Sequence, residues 1–159
     1  MLLAVITVSD RCSEGLMADT AGPAVVARLK DQWPQAEILT RLLKDDEDAI
    51  AAALEEPCAQ GAALVLTVGG TGLGPRDRTP EATRRVIDRE APGLAEAMRA
   101  KGAEQNPFAW LSRGVAGLRG GTLIVNLPGS RRGAEESWMA IAELVGHGLE
   151  VARGGQIHP

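Results

Sequence analysis

The sequence predicts a three-layer α/β domain, in which a mostly parallel β-sheet lies between helices and ends in a C-terminal β-hairpin. Short apolar segments alternate with helix-like segments along the chain, the order typical of such folds. The apolar runs Leu2–Val8 and Leu64–Val68 are almost continuous, as in strands covered on both faces. Polar or glycine-rich segments follow the strands, where ligands gather in open α/β sheets.

The length and composition indicate one ordinary globular domain. The chain has 159 residues, 45% of them hydrophobic and 24% charged, and we expect residues 1–159 to form one domain. A net charge of −4 argues against a nucleic-acid-binding protein with a broad basic face. The apolar N-terminal run is too short to span a bilayer and lacks the features of a signal peptide. We therefore expect a cytoplasmic protein that binds neither nucleic acid nor membrane.

The first strand is followed by polar residues, a helix and a second strand. Ser9–Arg11 lie at the carboxyl end of the first strand, where they either turn the chain or face a ligand. The sequence leaves both interpretations open. A helix capped by Asp19 or Thr20 is expected to run to Trp33, and the second strand spans Ala36–Leu43.

An acidic segment leads from the second strand into the next helix, which includes residues 49–54. Acidic residues 46–48 are explained by their favourable interaction with the N-terminal end of the helix dipole. That explanation is less specific for Asp45, because this residue falls on the strand-to-helix turn. Asp45 is therefore a candidate site residue at the edge of the sheet.

The stretch Leu64–Ala82 contains a strand, a glycine-rich loop and the start of a helix that Thr79 is expected to cap. This arrangement offers backbone N–H groups and a positive helix end to an anion. Arg76 and Arg78 could bind phosphate, and Asp77 could hold its cation. A tight turn without a ligand is the alternative, because the loop lacks the lysine of a P-loop and fits GxGxxG poorly.

The second half of the chain is expected to contain three helices and a hairpin. The helices span residues 80–90, 94–103 and 134–153. Strands over residues 115–119 and 122–127 flank the pair Gly120-Gly121, which indicates a two-residue hairpin turn. Ser112-Arg113 precede the hairpin, and Asn126–Ser130 end it, so both segments can join the same rim as the glycine loop.

Several motifs occur in a characteristic order: GGTG from Gly69, DRTPEAT from Asp77, LSR from Leu111 and NLPG from Asn126. Over essentially the whole chain the sequence resembles the molybdenum cofactor biosynthesis proteins of the MogA/MoaB type. The resemblance implies that the terminal phosphate of molybdopterin attacks the α-phosphorus of Mg-ATP, giving adenylylated molybdopterin and pyrophosphate. It also implies a homotrimer or hexamer, with a molybdenum-insertion protein as a candidate partner.

The same resemblance implies roles for individual residues. Asp45 and Asp77 correspond to catalytic acids, which we assign to binding Mg²⁺ and phosphate rather than to proton abstraction. Asp46 is adjacent, and relatives usually have proline where Lys44 stands, so the first acid is Asp45 or Asp46. The implied substrate-binding residues are Gly69, Gly70, Thr71 and Gly72 for the nucleotide, Arg78 for phosphate, and Ser112, Arg113, Asn126, Pro128, Gly129 and Ser130 for the pterin and its phosphate.

Two other functions fit the same resemblance. The chain could be a non-catalytic molybdopterin-binding or scaffold protein, or a domain for metal insertion as in larger relatives. Acidic residues at both expected positions favour the enzyme, and the length of the chain disfavours metal insertion. The sequence leaves open whether molybdenum or tungsten is served and whether ATP is the nucleotide.

Overall fold

A computed structural model of the protein describes residues 1–152 and 154–155. The strands are β1 (Leu2–Val8), β2 (Glu37–Leu43), β3 (Leu64–Val68), β4 (Arg89–Glu90), β5 (Ala116–Arg119) and β6 (Thr122–Leu127). The helices are α1 (Asp10–Ser13), α2 (Ala21–Gln32), α3 (Glu47–Ala59), α4 (Thr79–Val86), α5 (Pro92–Ala103) and α6 (Arg131–Ala152), and a 3-10 helix spans Pro107–Leu111. Among these described residues, no helix combines the length and the apolar character needed to cross a bilayer.

The six strands form one sheet in the order β2-β1-β3-β6-β5-β4. Strands β2, β1, β3 and β6 are parallel, whereas β5 and β4 extend the sheet in antiparallel fashion. Helices α2, α5 and α6 pack on one face through residues such as Leu29 and Trp138, and α3 and α4 pack on the other through residues such as Leu54 and Val86. The predicted three-layer fold and its hairpin are therefore confirmed.

The two most apolar strands lie in the middle of the sheet. Val5 of β1 pairs with Thr40 on one side and Leu66 on the other, and every residue of β3 is buried. Burying one large aliphatic side chain contributes about 1.5–3 kcal/mol, so these strands contribute strongly to the core. The loops that follow them therefore start from buried, hydrogen-bonded strands.

The helix predicted over residues 80–90 is wrong in its second half. Helix α4 ends at Val86, and Ile87 already has extended backbone angles. The next backbone groups pair with β5: Asp88 N donates to Leu118 O at 2.7 Å, and Ala91 N donates to Ala116 O at 2.8 Å. Sheet hydrogen bonds thus replace helical ones. Pro92 begins α5, two residues before the predicted start of that helix.

Two further helix starts differ from the sequence prediction. Helix α1 was not predicted, because the sequence left residues 9–11 open between a turn and a ligand-facing segment; it begins after Ser9, whose Oγ accepts a hydrogen bond from Cys12 N at 3.2 Å. Helix α6 begins at Arg131 rather than residue 134, because Ser130 Oγ accepts from Gly133 N at 3.1 Å and so acts as an N-cap. The predicted end of this helix, residue 153, lies outside the described residues.

Candidate active site

Two clefts lie where the chain leaves the carboxyl ends of the parallel strands. We call the first the apolar cleft; it has a volume of about 410 Å³, and Met98, Phe108 and Leu111 form part of its wall. The second, the acidic cleft, has a volume of about 490 Å³ and contains Asp19 and Asp45. Both clefts are lined by Gly70, Asp77 and Gly129. The predicted site segments therefore converge on one rim.

The glycine loop is pressed against the end of β1. Gly69 has a φ of +106° and Gly70 a φ of +66°, angles that side-chain-bearing residues rarely adopt. A Cβ on Gly69 would also collide with the carbonyl oxygen of Val8, and the Gly69 N–H donates to Leu127 O at 3.0 Å. The loop backbone is thereby fixed between β1 and β6, next to both clefts.

The structure separates the roles of the two adjacent aspartates after β2. Asp46 is the N-cap of α3, and its Oδ1 accepts from Ala49 N at 2.8 Å. Asp45 instead lines the acidic cleft, where its Oδ2 accepts from Asp10 N at 2.9 Å. Its other carboxylate oxygen, Oδ1, would lie 3.1 Å from a Cβ on Gly70. Of the two candidates, Asp45 is therefore the acid that faces the glycine loop.

Asp77 is enclosed by the loop that precedes it. Its Oδ2 accepts from Gly74 N at 2.9 Å, and a Cβ on Gly72 would lie only 2.9 Å from the same oxygen. The side chain is half-buried and reaches both clefts. Asp77 and Asp45 thus reach the acidic cleft from separate turns, each with one carboxylate oxygen held by a backbone N–H.

The electrostatic environment distinguishes the carboxylates at the rim. Burial raises the pKa of Asp45 above its ordinary value, and the negative charges of Asp10 and Asp77 add to this effect, against the hydrogen bond from Asp10 N–H. The pKa of Asp10 is lowered, chiefly by its hydrogen bond from Arg76. Asp45 is therefore the carboxylate whose ionised form would gain most from a nearby cation.

Replacing Asp45 with asparagine is expected to raise the melting temperature at about pH 7, in buffer containing a chelator. Because the pKa of Asp45 is raised by folding, protonation favours the fold at low pH, and this advantage is lost as pH rises through the folded-state pKa. Asparagine keeps an acceptor for the Asp10 N–H and carries no charge. The gain should disappear near pH 3, and melting curves between about pH 3 and pH 8 measure it. A lower melting temperature at neutral pH would contradict the stated environment of Asp45.

Asp10 belongs to the same cluster; the sequence left it open between a turn and a ligand-facing position and assigned it no role in the site. Asp10 Oδ1 accepts from Asp45 N at 3.0 Å, so the two aspartates each accept the other's backbone N–H. Arg76 binds Asp10 through Nε–Oδ2 at 2.5 Å and Nη2–Oδ1 at 3.0 Å. The position of Asp10 after the first strand was the available signal. Its pairing partners lie 35 and 66 residues away, beyond the reach of local patterns.

The predicted phosphate-binding arginines are all paired with protein groups. Arg76 pairs with Asp10, and Arg78 Nη2 contacts Glu47 Oε2 at 2.7 Å. Arg113 pairs with Glu81 and also donates to Gly72 O at 2.8 Å and Asp77 O at 2.7 Å. Exposed ion pairs contribute only about 0–1 kcal/mol, so Arg76 and Arg78 can exchange a carboxylate for phosphate at small cost. The bonds of Arg113 to two loop carbonyls fix it as a support of the glycine loop.

Asn126 lies in the wall of the apolar cleft, but its side chain is almost completely enclosed by protein groups. It is 1% exposed, and its Nδ2 donates to Thr67 Oγ1 at 3.0 Å and Thr83 Oγ1 at 2.9 Å. Its Oδ1 accepts from Val115 N at 3.1 Å. Because protein groups already engage both ends of the amide, Asn126 positions the segments that form the clefts.

Replacing Asn126 with alanine is expected to lower the free energy of unfolding by roughly 3 kcal/mol or more. The change removes the side-chain partner of the buried Thr67 hydroxyl and of the Val115 N–H, each costing about 1–3 kcal/mol before relaxation, and one of the two hydrogen bonds of Thr83 Oγ1. Urea denaturation of Asn126→Ala measures the loss. Asn106→Ala is the matched control, because Asn106 is exposed and caps only the 3-10 helix; it should cost about 1 kcal/mol. Equal losses in the two variants would contradict the role of Asn126.

The remaining predicted residues lie in the wall of the apolar cleft. Ser112 Oγ accepts from Gly114 N at 3.3 Å, and Ser130 Oγ accepts from Gly133 N. Neither hydroxyl donates to a protein acceptor within the described part of the chain, so both can donate to a ligand. The other predicted residues of this wall are Thr71, Gly72, Pro128 and Gly129.

The carboxylates that line the acidic cleft fit a divalent cation that arrives with phosphate. Asp45 Oδ1 and Asp77 Oδ1 are hard oxygen donors that accept no hydrogen bond from the described residues, and the nearby Thr79 hydroxyl is buried without a partner. In the described part of the chain, no three His, Cys, Asp or Glu side chains are grouped to hold a metal. Mg²⁺ commonly binds one or two carboxylates, with substrate phosphates and water completing its shell. Asp45 and Asp77 would hold it here.

The chain is similar to known proteins over almost its whole length. Residues 4–147 match the family model described as "Probable molybdopterin binding domain". A molybdopterin adenylyltransferase of Haemophilus influenzae is 39% identical over 92% of this chain and 76% of its own length. The crystal structure of the molybdopterin biosynthesis enzyme MoaB from Thermus thermophilus is 46% identical, covers 96% of both chains and gives a TM-score of 0.89.

Some relatives are much longer proteins. A molybdenum cofactor biosynthesis bifunctional protein of Synechococcus elongatus is 41% identical over 151 residues, which make up 94% of this chain but 47% of that protein. The chain spans still smaller fractions, 25% and 22%, of two further relatives. The family model nevertheless matches most of the chain, and the shorter relatives are matched over most of their length. The chain therefore belongs to the molybdopterin-binding domain family.

Proposed function

We propose that the protein transfers AMP from Mg-ATP to the terminal phosphate of molybdopterin and releases pyrophosphate, as a step of molybdenum cofactor biosynthesis. The observation that carries this proposal is the meeting of two clefts at Gly70 and Asp77, with Asp45 on the acidic side. A reaction between two phosphate-bearing substrates needs two neighbouring binding places with a common boundary. Relatives named as molybdopterin adenylyltransferases support the same conclusion.

The two clefts differ in chemistry, and this difference supports a separate place for each substrate. The acidic cleft takes the Mg-ATP phosphates, because Asp45 and Asp77 lie there beside the backbone of the glycine loop. The apolar cleft takes the pterin, whose ring can pack against walls that include Phe108. Ser112 and Ser130 offer hydroxyl donors to the pterin or its terminal phosphate.

The residues act by positioning and by compensating charge, as is usual in phosphoryl and nucleotidyl transfer. The attacking phosphate oxygen is already anionic, so no side chain is needed as a base. Arg76 and Arg78 bind phosphate after leaving their carboxylate partners, and Arg113 keeps the Asp77 backbone in place. Asp45 and Asp77 would hold Mg²⁺, which would supply positive charge to the phosphates of ATP.

We also propose that the protein acts in the cytoplasm as a homotrimer or hexamer, and that a molybdenum-insertion protein receives its product. Large exposed apolar side chains support self-association, because exposed apolar patches often mark the surfaces through which proteins bind one another. Met139 and Leu144 on α6 are 60% and 52% exposed, and Trp110 is 58% exposed.

The decisive experiment mixes the purified protein with molybdopterin and Mg-ATP and measures pyrophosphate together with AMP-linked pterin. Both products should appear in equal amounts and only when all components are present. A reaction without Mg²⁺ and one with ATP alone are the controls. Tight pterin binding without either product would instead identify a non-catalytic binding protein.

A further inference from the structure

Thr79 carries a hydroxyl that the folded protein does not use. In the part of the chain that the structure describes, its Oγ1 is the buried side-chain polar atom left without a hydrogen-bond partner. The residue is 0% exposed. It was expected to cap α4, but the N-cap position is Arg78 and no side chain makes a cap hydrogen bond there. An unpaired buried hydroxyl destabilises a fold, so its presence needs another explanation.

The surroundings of this hydroxyl point to the acidic cleft. A Cβ on Gly70 would collide with Thr79 Oγ1 and would lie 3.1 Å from Asp45 Oδ1, so both oxygens lie on the same side of Gly70. Thr79 N also donates to Gly70 O at 3.1 Å, which keeps the two residues together. Because residue 70 is glycine, no side chain separates this unused donor from a carboxylate oxygen that accepts no hydrogen bond from the described residues.

We propose that Thr79 is a positioning residue whose hydroxyl donates a hydrogen bond to Asp45 Oδ1 when Mg-ATP occupies the acidic cleft. This inference rests on the proposed function, because it takes Asp45 as a residue that holds the cation of the nucleotide. The Asp45 Oδ2 atom is already held by the Asp10 N–H, so a bond to Oδ1 would fix the whole carboxylate group. Hydrogen bonds to ionised groups are stronger than neutral ones, which suits a group that must hold its orientation.

The test compares Thr79→Val and Thr79→Ser with the unaltered protein. Valine has nearly the shape of threonine without the hydroxyl, so the melting temperature in chelator-containing buffer should stay the same or rise. The rate of pyrophosphate release and the affinity for Mn²⁺, measured by electron paramagnetic resonance, should each fall about 10- to 100-fold, as expected for one lost bond to a charged group. Serine keeps the hydroxyl and should restore both.

Thr83→Val is the matched control, because Thr83 is equally buried but its hydroxyl is fully used. Thr83 Oγ1 donates to Thr79 O at 2.8 Å and accepts from Asn126 Nδ2 at 2.9 Å. The melting temperature of Thr83→Val should fall, in contrast to that of Thr79→Val. The pair thus separates a hydroxyl kept for stability from one kept for the reaction.

Each result bears on a different claim. Full turnover and full Mn²⁺ affinity in Thr79→Val would overturn the role of Thr79, as would a large loss of its melting temperature in chelator-containing buffer. Absence of turnover in the unaltered protein would refute the proposed function. The comparison of Mn²⁺ affinities between the unaltered protein and Thr79→Val would still decide the role of Thr79. Failure of the unaltered protein to bind Mn²⁺, with or without ATP, would overturn both.

Discussion

Replacing Asp77 with asparagine is expected to lower the rate of AMP transfer by roughly a thousandfold or more, with little change in pterin binding. The variant removes the negative charge from the boundary of both clefts, and cation-dependent charge compensation accounts for several kcal/mol of the barrier in such reactions. Asparagine can still accept from Gly74 N, so the loop should keep its conformation. Single-turnover assays of pyrophosphate release and fluorescence titration with pterin measure the two effects separately.

Asp48→Asn is the matched control for this variant. Asp48 is an exposed aspartate on the neighbouring helix, where it pairs with Arg85 outside both clefts. The rate of AMP transfer by Asp48→Asn should equal that of the unaltered protein. Normal turnover in Asp77→Asn would show that this carboxylate does not hold the cation, even if the rest of the proposed function stands.

The second large effect is expected on stability, from replacing Gly69 with alanine. The new Cβ would meet the carbonyl oxygen of Val8, and alanine would be forced to a φ near +106°. Strained backbone and overpacking each cost about 1–3 kcal/mol, so the free energy of unfolding should fall by roughly 2–6 kcal/mol. That loss is comparable with the whole stability of many domains, and chemical denaturation measures it.

Gly61→Ala separates the two causes of this loss. Gly61 has a φ of +78°, but a Cβ there would meet nothing within 4 Å. Only the backbone cost should remain, about 1–2 kcal/mol. Similar losses in both variants would mean that the contact between Gly69 and Val8 contributes nothing, and that the loop can withdraw from β1.

The sequence alone predicted the features that depend on local pattern. Leu64–Val68 is recognisable as a buried strand because all five residues are apolar or β-branched, and the glycines after it mark a loop with positive φ. Asp77 follows within the same stretch. Its position near the rim could therefore be predicted from the rule that ligand-binding loops follow parallel strands.

Other features depend on groups that meet only in the folded chain. Arg89 and Glu90 extend a helical pattern in the sequence, yet hydrogen bonds offered by β5 make them an edge strand. Asn126 has the polarity of a ligand-binding residue, but two threonines and a backbone N–H enclose its amide. Asp10 is held in position by hydrogen bonds with Asp45, which is 35 residues away. No local pattern contains these partners.

The shared wall formed by Gly70, Asp77 and Gly129 has a kinetic consequence. With the substrates assigned as proposed, each substrate has its own binding site, and neither needs to dissociate before the other binds. The geometry therefore suits a ternary complex entered in either order. AMP then passes directly from one substrate to the other, with no covalent intermediate on the enzyme. Initial-rate plots should therefore intersect and should not show the parallel lines of a ping-pong mechanism.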